Sequence, residues 1–598
     1  MTAEIKATQV DLSGLLDVLG KNLYSTPLVA IRELIQNAHD ACYRRKIEGS
    51  DCPSPEIRLR TPGNNRLVIE DNGAGLTKSE ISDYLATIGS GYTRLLRDRT
   101  DTEDMIGYFG LGFLSAYVIS DQVEINTTSY QTPDQGWHFT SNGGMNYAIQ
   151  AAPASAIGSQ VTLHLSSDFE ALANSSVLSD VVAKYCCLLN IPIYINDHTH
   201  AVNTLDIPWK LPEDVSPTQH KKRRFAFAEI FEKHFEPLAT MLIEPSATCD
   251  VSGMLWVQGG SSYATSDHRN ATIFVRDMYI TDEARDILPT WAGFVGCVLD
   301  TPILTPTASR EEIQKDAAYQ LTKQHIEDTL ISRLKSLSKQ EPEAWQRILS
   351  RHNEILLGAA VSDDSLFEVL HNDLRVPTTE GDMTLSEVVQ NSENKINVSI
   401  DESNSYDEVL CRAMKVPIVM GYRFAAYPFC QRYADMHPVN LIVLGTKAGN
   451  DTLFGKADAD ADTWEKLNDL FTEAHESLTL TAFKPDFLPM IMIPDEEAIL
   501  KRKIESDSTR KRISTAALGL ATLYTKNLQD DIRVKLYLNM NSPLIEALLT
   551  LPTDRQTLVA GLMKTFAASL GRTSQHATNR SLADELAEYH KNLLALLQ

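Results

Sequence analysis

No two of the eight cysteines form a CxxC pair, and no Cys or His spacing matches a structural zinc site or an HExxH helix. Cys186 and Cys187 are adjacent in an apolar run, and Cys297 sits inside FVGCVL. Free, buried thiols in a reducing compartment are therefore expected. No apolar stretch reaches the ~18 residues that a membrane span needs. The opening MTAEIKATQV has no apolar core of the kind a secretory signal carries. The expectation is a cytoplasmic protein. There is no GxxxxGK[ST], so a P-loop site is not expected. Positive charge is also scarce: the formal net charge is −24, and such a chain repels nucleic acid and anionic membranes on average. The basic runs Lys221–Arg224 and Lys501–Arg512 read as solvated faces. Internal repeats and low-complexity tracts are missing as well.

What is present is an ordinary globular composition: 598 residues, 43% hydrophobic and 22% charged, enough for several domains with sizeable cores. The first part mixes helices and strands. LSGLLDVLGKNLYS has a helical pattern, and a long helix follows it, with Thr26 as N-cap and Pro27 at its first position. RLVIEDNGAGL reads as a strand running into a turn, and QVEINTTS and SQVTLHLSS as alternating strands. LPEDVSPTQHKKRRF reads as a linker. Beyond it, ATIFVRDMYIT reads as one strand and REEIQKDAAYQLTKQHIEDTLISRLKSL as one long amphipathic helix. KINVSID and NLIVLGT suggest a smaller αβ unit, and GKADADADT a further break. PMIMIP and VKLYLNM then give strands followed by helices. Near the end, Leu582, Leu586, Tyr589, Leu593 and Leu596 form an apolar stripe that should be buried, either inside its own domain or in a subunit interface.

The chemistry concentrates early. LYSTPLVAIRELIQNAHDA puts Glu33 and Asn37 four residues apart, one turn above each other on a helix. Three glycine-bearing segments follow: EDNGAGL with Asp71 and Gly75, GYFGLGF with Gly107, Gly110 and Gly112, and GSQVTLHL with Ser159. Each alone is an ordinary turn; their order and spacing are the signal. In a nucleotide pocket, a buried carboxylate such as Asp71 can accept the adenine amino group. Gly75 would let the base approach the backbone, and a glycine run can aim N–H groups at phosphates. Mg²⁺ keeps most of its waters and asks for few protein oxygens, which Asn37 could supply. Glu33 could activate a water beside the γ-phosphate.

These segments, in order, resemble the nucleotide-binding motifs of the GHKL ATPases, and most of all those of the heat shock protein 90 chaperones, whose bacterial form is HtpG. The resemblance continues into FVRDMYITDEARDILPTWAGFVGCVLDTPILTPTASREEIQ, which is similar to that family's middle segment with its catalytic loop, and into VKLYLNMNSPLIEALL, similar to the entry of its C-terminal domain. It implies an α/β fold throughout (α+β in its segregation of helices and strands). Residues 1–212 would be an α/β sandwich ATP-binding domain, 222–452 an αβα middle domain, and 460–598 a mixed dimerisation domain.

By the same resemblance Glu33 is the general base and Asn37 the Mg²⁺ ligand. Asp71 and Ser159 read adenine, with Asp40 nearby, and Gly75 lines the base. Gly107, Gly110, Gly112 and Phe113 cradle phosphate beneath a lid of roughly residues 89–112. Arg310 reaches the γ-phosphate from the next domain, with Gln314 near it. ATP and Mg²⁺ are the implied ligands. The implied partners are a second copy joined through the C-terminal helices, unfolded or partly folded clients and other chaperones, with no nucleic acid and no membrane. This chain departs from the family at Ser90, where the lid usually has lysine, and at Thr307, where the catalytic loop usually has Asn. A DNA-coupled ATPase of mismatch-repair or topoisomerase type and a non-hydrolysing ATP-binding scaffold are the alternatives.

Overall fold

The computed structural model describes residues 26–49, 52–85, 112–144, 146–212, 215–260, 267–307, 309–400, 416–444, 449, 454–494, 534–570 and 590. Gly107, Gly110, Ser90, the first helical pattern, the run Lys501–Arg512 and the terminal apolar stripe lie outside the described residues, apart from His590. The chain forms two compact units, Met1–His352 and Asn353–Gln598.

The first unit is built on α1 (Leu28–Glu48) and a seven-stranded sheet. Thr26 Oγ1 accepts the Leu28 N–H at 3.0 Å, taking up one of the donors that a helix start leaves over. The strands are β1 (Ile57–Gly63), β2 (Arg66–Asp71), β3 (Ser120–Thr128), β4 (Gly136–Asn142), β5 (Asn146–Ala152), β6 (Gly158–Leu165) and β7 (Ile193–Ile195), in the order β5-β4-β3-β6-β2-β1-β7. Alternation puts Leu67 and Ile69 of β2, Leu163 of β6, and Val123 and Ile125 of β3 on the face that meets Ile31, Leu34 and Ile35 of α1. Burying one such side chain contributes about 1.5–3 kcal/mol. α2 (Ser175–Tyr185) adds Leu178, Val181 and Val182 to the same core.

That core runs on into a second, five-stranded sheet without a break. Its strands are β8 (Pro237–Ile243), β9 (Ser252–Gln258), β10 (Asn270–Val275), β11 (Met278–Thr281) and β12 (Val295–Asp300), in the order β11-β10-β12-β9-β8. A chain of aromatic contacts joins the two parts. Tyr185 meets Tyr279 edge-on at 5.2 Å, Tyr279 meets Phe274 at 5.8 Å, and Phe274 meets Phe231 at 6.2 Å. This continuity carries residues of the second sheet's loops to α1.

Three expectations are corrected here. The polar run after Leu211 is helical over α3 (Pro217–Phe231), because Ser216 caps the Gln219 N–H and Pro217 opens the first turn. Its basic residues pair across to neighbours, Arg223 with Asp206 and Lys221 with Glu341. ATIFVRDMYIT is a hairpin of β10 and β11, broken where Arg276 and Asp277 take φ of 51° and 63°. Residues of this size hide a turn that Asn-Gly would have announced. The long helix, α4, begins only at Ala317, capped by Asp316 on the Tyr319 N–H, so Arg310 precedes it in a loop.

The second unit holds two sheets. One has five strands: β13 (Arg375–Thr378), β14 (Gly381–Thr384), β15 (Lys395–Ser399), β16 (Ile418–Met420) and β17 (Asn440–Val443). The other has four: β18 (Gly455–Lys456), β19 (Glu476–Ala482), β20 (Met490–Pro494) and β21 (Val534–Asn539). β21 leads through Asn539, whose buried amide donates to Phe483 O and Leu488 O at 2.9 and 3.1 Å, into a helix opened by Pro543.

Candidate active site

Helix α1 is covered on nearly every side. From Val29 to Asp40 every residue is buried except Asn37, so the cover opens at one position, a turn beyond Glu33. Burying Arg32, Glu33, Gln36, His39, Asp40, Arg44 and Arg45 is costly unless they are paired. They are paired. Arg44 bonds Glu48 at 2.8 Å and also Glu80, and Arg45 donates to Asn72 O at 2.7 Å. Both pairings hold the loop after β2 against the helix.

That loop explains two glycines. A Cβ on Gly73 would stand 2.4 Å from the Ala41 carbonyl carbon, and one on Gly75, at φ +62°, 2.0 Å from Thr128 O. The chain threads between α1 and the end of β3, so glycine is demanded by the backbone itself, before any ligand is considered. On the sheet floor Asp71, Ser159 and Thr127 are register partners across β2, β6 and β3. Ser159 Oγ lies 2.9 Å from Thr127 Oγ1, and Asp71 Oδ1 accepts the Gly73 N–H at 2.9 Å. Asp71 shares the inward parity of Leu67 and Ile69. Burial pushes its carboxyl up to about 7, against the opposing pull of the Gly73 and Ser159 backbone donors and of Arg45.

Glu33 is the centre of a second cluster. Arg32 Nη2 donates to its Oε1 at 2.9 Å and Arg310 Nη1 to its Oε2 at 2.8 Å. Arg310 Nη1 also reaches Gln36 Oε1, and Arg32 Nη1 donates to the Arg310 carbonyl at 3.0 Å. Arg310 itself is held at φ +55°, with its N–H on Thr307 O at 3.0 Å. The Arg32 guanidinium lies 5.9 Å from the centroid of the Tyr185 ring. Gly112 begins a 3-10 turn directly over this carboxylate, where a Cβ would come within 2.8 Å of Glu33 Oε2. Chemically, both oxygens of this carboxylate are taken up by guanidinium donors, so a water can replace a donor there only when one of them leaves.

The structure therefore brings Glu33, Gly112 and Arg310 together, with Asn37 one turn along the helix. It sets Asp71, Gly75 and Ser159 around the end of the sheet. Asp40 is buried beside His39, at 3.4 Å. Phe113 packs edge-on to Phe139 and Tyr117 as part of the core margin. Gln314 is exposed and donates to Pro306 O at 3.1 Å, and neither that bond nor its backbone bond to Thr305 O leads to Glu33. Sequence reasoning missed Arg32 and Gln36. Their places next to and three residues beyond Glu33 on one helix were the available signal.

Two family models match the chain. One, described as histidine kinase-, DNA gyrase B- and HSP90-like ATPase, covers residues 24–159; the other, described as Hsp90 protein, covers residues 194–398. The chain belongs to the heat shock protein 90 family. Among the Hsp90-family relatives it resembles is the mitochondrial heat shock protein 75 kDa of Rattus norvegicus, 30% identical over 57% of this chain and 49% of that protein. The chaperone protein HtpG of Roseobacter denitrificans is 26% identical over 64% of each chain, and that of Mesorhizobium japonicum 28% over 60% of each. The match thus spans about half to two thirds of these relatives' lengths. The two matched segments of this Hsp90-family chain hold the two halves of the Glu33 cluster, α1 in one and Arg310 in the other. Among the described residues there is no group of three or more His, Cys, Asp or Glu that could hold a metal, and no helix long and apolar enough to cross a membrane.

Proposed function

We propose that this chain binds and hydrolyses ATP and uses the cycle to remodel unfolded or partly folded proteins, as a cytoplasmic homodimeric chaperone. The observation that carries the reading is the Glu33 cluster: a buried acid one turn from the exposed Asn37, tied to an arginine from the second sheet's loop. The HtpG names of its relatives support the chaperone part. We read residues 1–212 as the ATP-binding domain, 222–452 as the middle domain and 460–598 as the dimerisation domain. The last of these would join two copies through its terminal helices, and other chaperones would be further partners.

In this mechanism adenine enters at the end of the sheet. Its amino group donates to Asp71, with Ser159 and the Gly75 backbone completing the base site. The phosphates run along α1 toward Asn37 and the Gly112 turn. Mg²⁺, held mainly by the phosphates, would neutralise their charge; the Asn37 amide oxygen, exposed one turn from Glu33, fits the single protein ligand such an ion needs. Arg310 exchanges Glu33 for the γ-phosphate. That exchange frees a Glu33 oxygen to orient a water and take its proton. Turnover therefore waits on the movement of Arg310, which couples hydrolysis to the arrangement of the second sheet and its loop.

The Asp71 assignment has a direct test. Adenine needs the carboxylate form, while burial holds the acid near 7 in the unliganded chain. Below that value a proton must leave before the base can be read, so nucleotide affinity should fall up to about tenfold for each pH unit of acidification. Above it, affinity should level off. Calorimetric titration of the chain with ADP from about pH 6 to about pH 8 measures this. Asp71→Asn should bind weakly and lose the pH dependence, whereas a flat wild-type profile would remove Asp71 from base recognition.

A further inference from the structure

Gln36 has no part in the mechanism above, yet it is buried against the moving residue. Its Oε1 accepts from the same Arg310 Nη1 that grips Glu33, while its Nε2 is buried with no hydrogen-bond partner among the described residues. A buried amide satisfied at one end only is costly to keep, and the satisfied end is held by Arg310. Beside it, a cavity of about 270 Å³ is lined by Arg32, Gln36, Tyr279, Ile303 and Arg310. A guanidinium that lets go of α1 has room to move without opening the core.

We propose that Gln36 is a latch: a positioning residue that holds Arg310 on Glu33 and so sets how often the arginine is released to a γ-phosphate. The geometry separates its role from that of Glu33. Gln36 cannot take a proton from water, and it is buried against the arginine while Asn37 is exposed. Removing its acceptor weakens the held state and leaves the nucleotide site intact.

The inference rests on the ATPase reading for its effect on rate, but not for its effect on the loop. Gln36→Met keeps the volume, removes the acceptor and also removes the orphaned Nε2. It should raise kcat roughly tenfold, the effect of losing one hydrogen bond to a charged group, with KM for ATP little changed. Gln36→Glu keeps the acceptor and adds charge, and should lower kcat. Without nucleotide, amide hydrogen exchange in the segment from Ser309 to Gln314 should quicken in Gln36→Met and slow in Gln36→Glu, with exchange in β12 unchanged. If wild type and variants all fail to turn over ATP, the ATPase reading fails and the exchange rates alone decide the latch. Unchanged exchange in Gln36→Met would overturn it, whatever the turnover.

Discussion

Glu33→Gln is expected to lower ATP turnover by about 10²–10⁴-fold, the usual contribution of a general base, while nucleotide still binds. Gln is the informative replacement. Glu33 is 3% exposed between two guanidinium groups, and removing one partner of a buried ion cluster costs about 3–5 kcal/mol. Alanine would therefore mix a folding defect with a catalytic one. Gln keeps an oxygen for Arg32 and the side-chain volume, but it cannot hold a proton taken from water. Turnover under saturating ATP, with ADP titration as the binding control, separates the two effects. Full activity in Glu33→Gln would move the base elsewhere.

Arg310→Ala should be nearly as severe, with turnover reduced about 10³-fold or more, but for a different reason. The wild-type arginine does two jobs in sequence, gripping Glu33 and Gln36 and then meeting the γ-phosphate. Its loss frees Glu33 early and yet leaves the phosphate charge without its counter-ion. Arg310→Lys should recover little. Glu33 and Gln36 are both met by the single Nη1, but an ammonium has no planar fork with which to meet a phosphate. Nucleotide affinity should change far less than kcat in both variants, as the adenine residues are elsewhere. An Arg310→Ala chain that hydrolyses ATP at the wild-type rate would make the ion pair with Glu33 purely structural.

Much of this was legible from the chain. Glu33 and Asn37 at four-residue spacing, and Asp71 and Ser159 at strand ends, needed only helix and strand periodicity to be set on the right faces. The resemblance named Arg310. What periodicity could not give was the backbone around these residues. Helical spacing runs unbroken through SREEIQKDAAYQ, but the Asp316 cap starts the helix late and leaves Arg310 in a loop. The β10–β11 turn was hidden because Arg276 and Asp277 occupy a conformation that glycine or asparagine normally marks. Gly75 was legible as a special position, but the backbone reason for it was not: Thr128 O excludes a side chain there. Arg32 and Gln36 escaped because their meaning depends on a loop far along the chain, Arg310 lying 277 residues beyond Glu33 and 274 beyond Gln36.

The most direct test of the central claim is ATP turnover by the full chain, alone, with an unfolded protein, and with duplex DNA, each read against Glu33→Gln as the blank. The account predicts turnover above the blank that unfolded protein raises and DNA leaves unchanged. Stimulation by DNA alone would contradict it in favour of a DNA-coupled ATPase. Nucleotide binding without turnover above the blank in any condition would contradict it in favour of a scaffold.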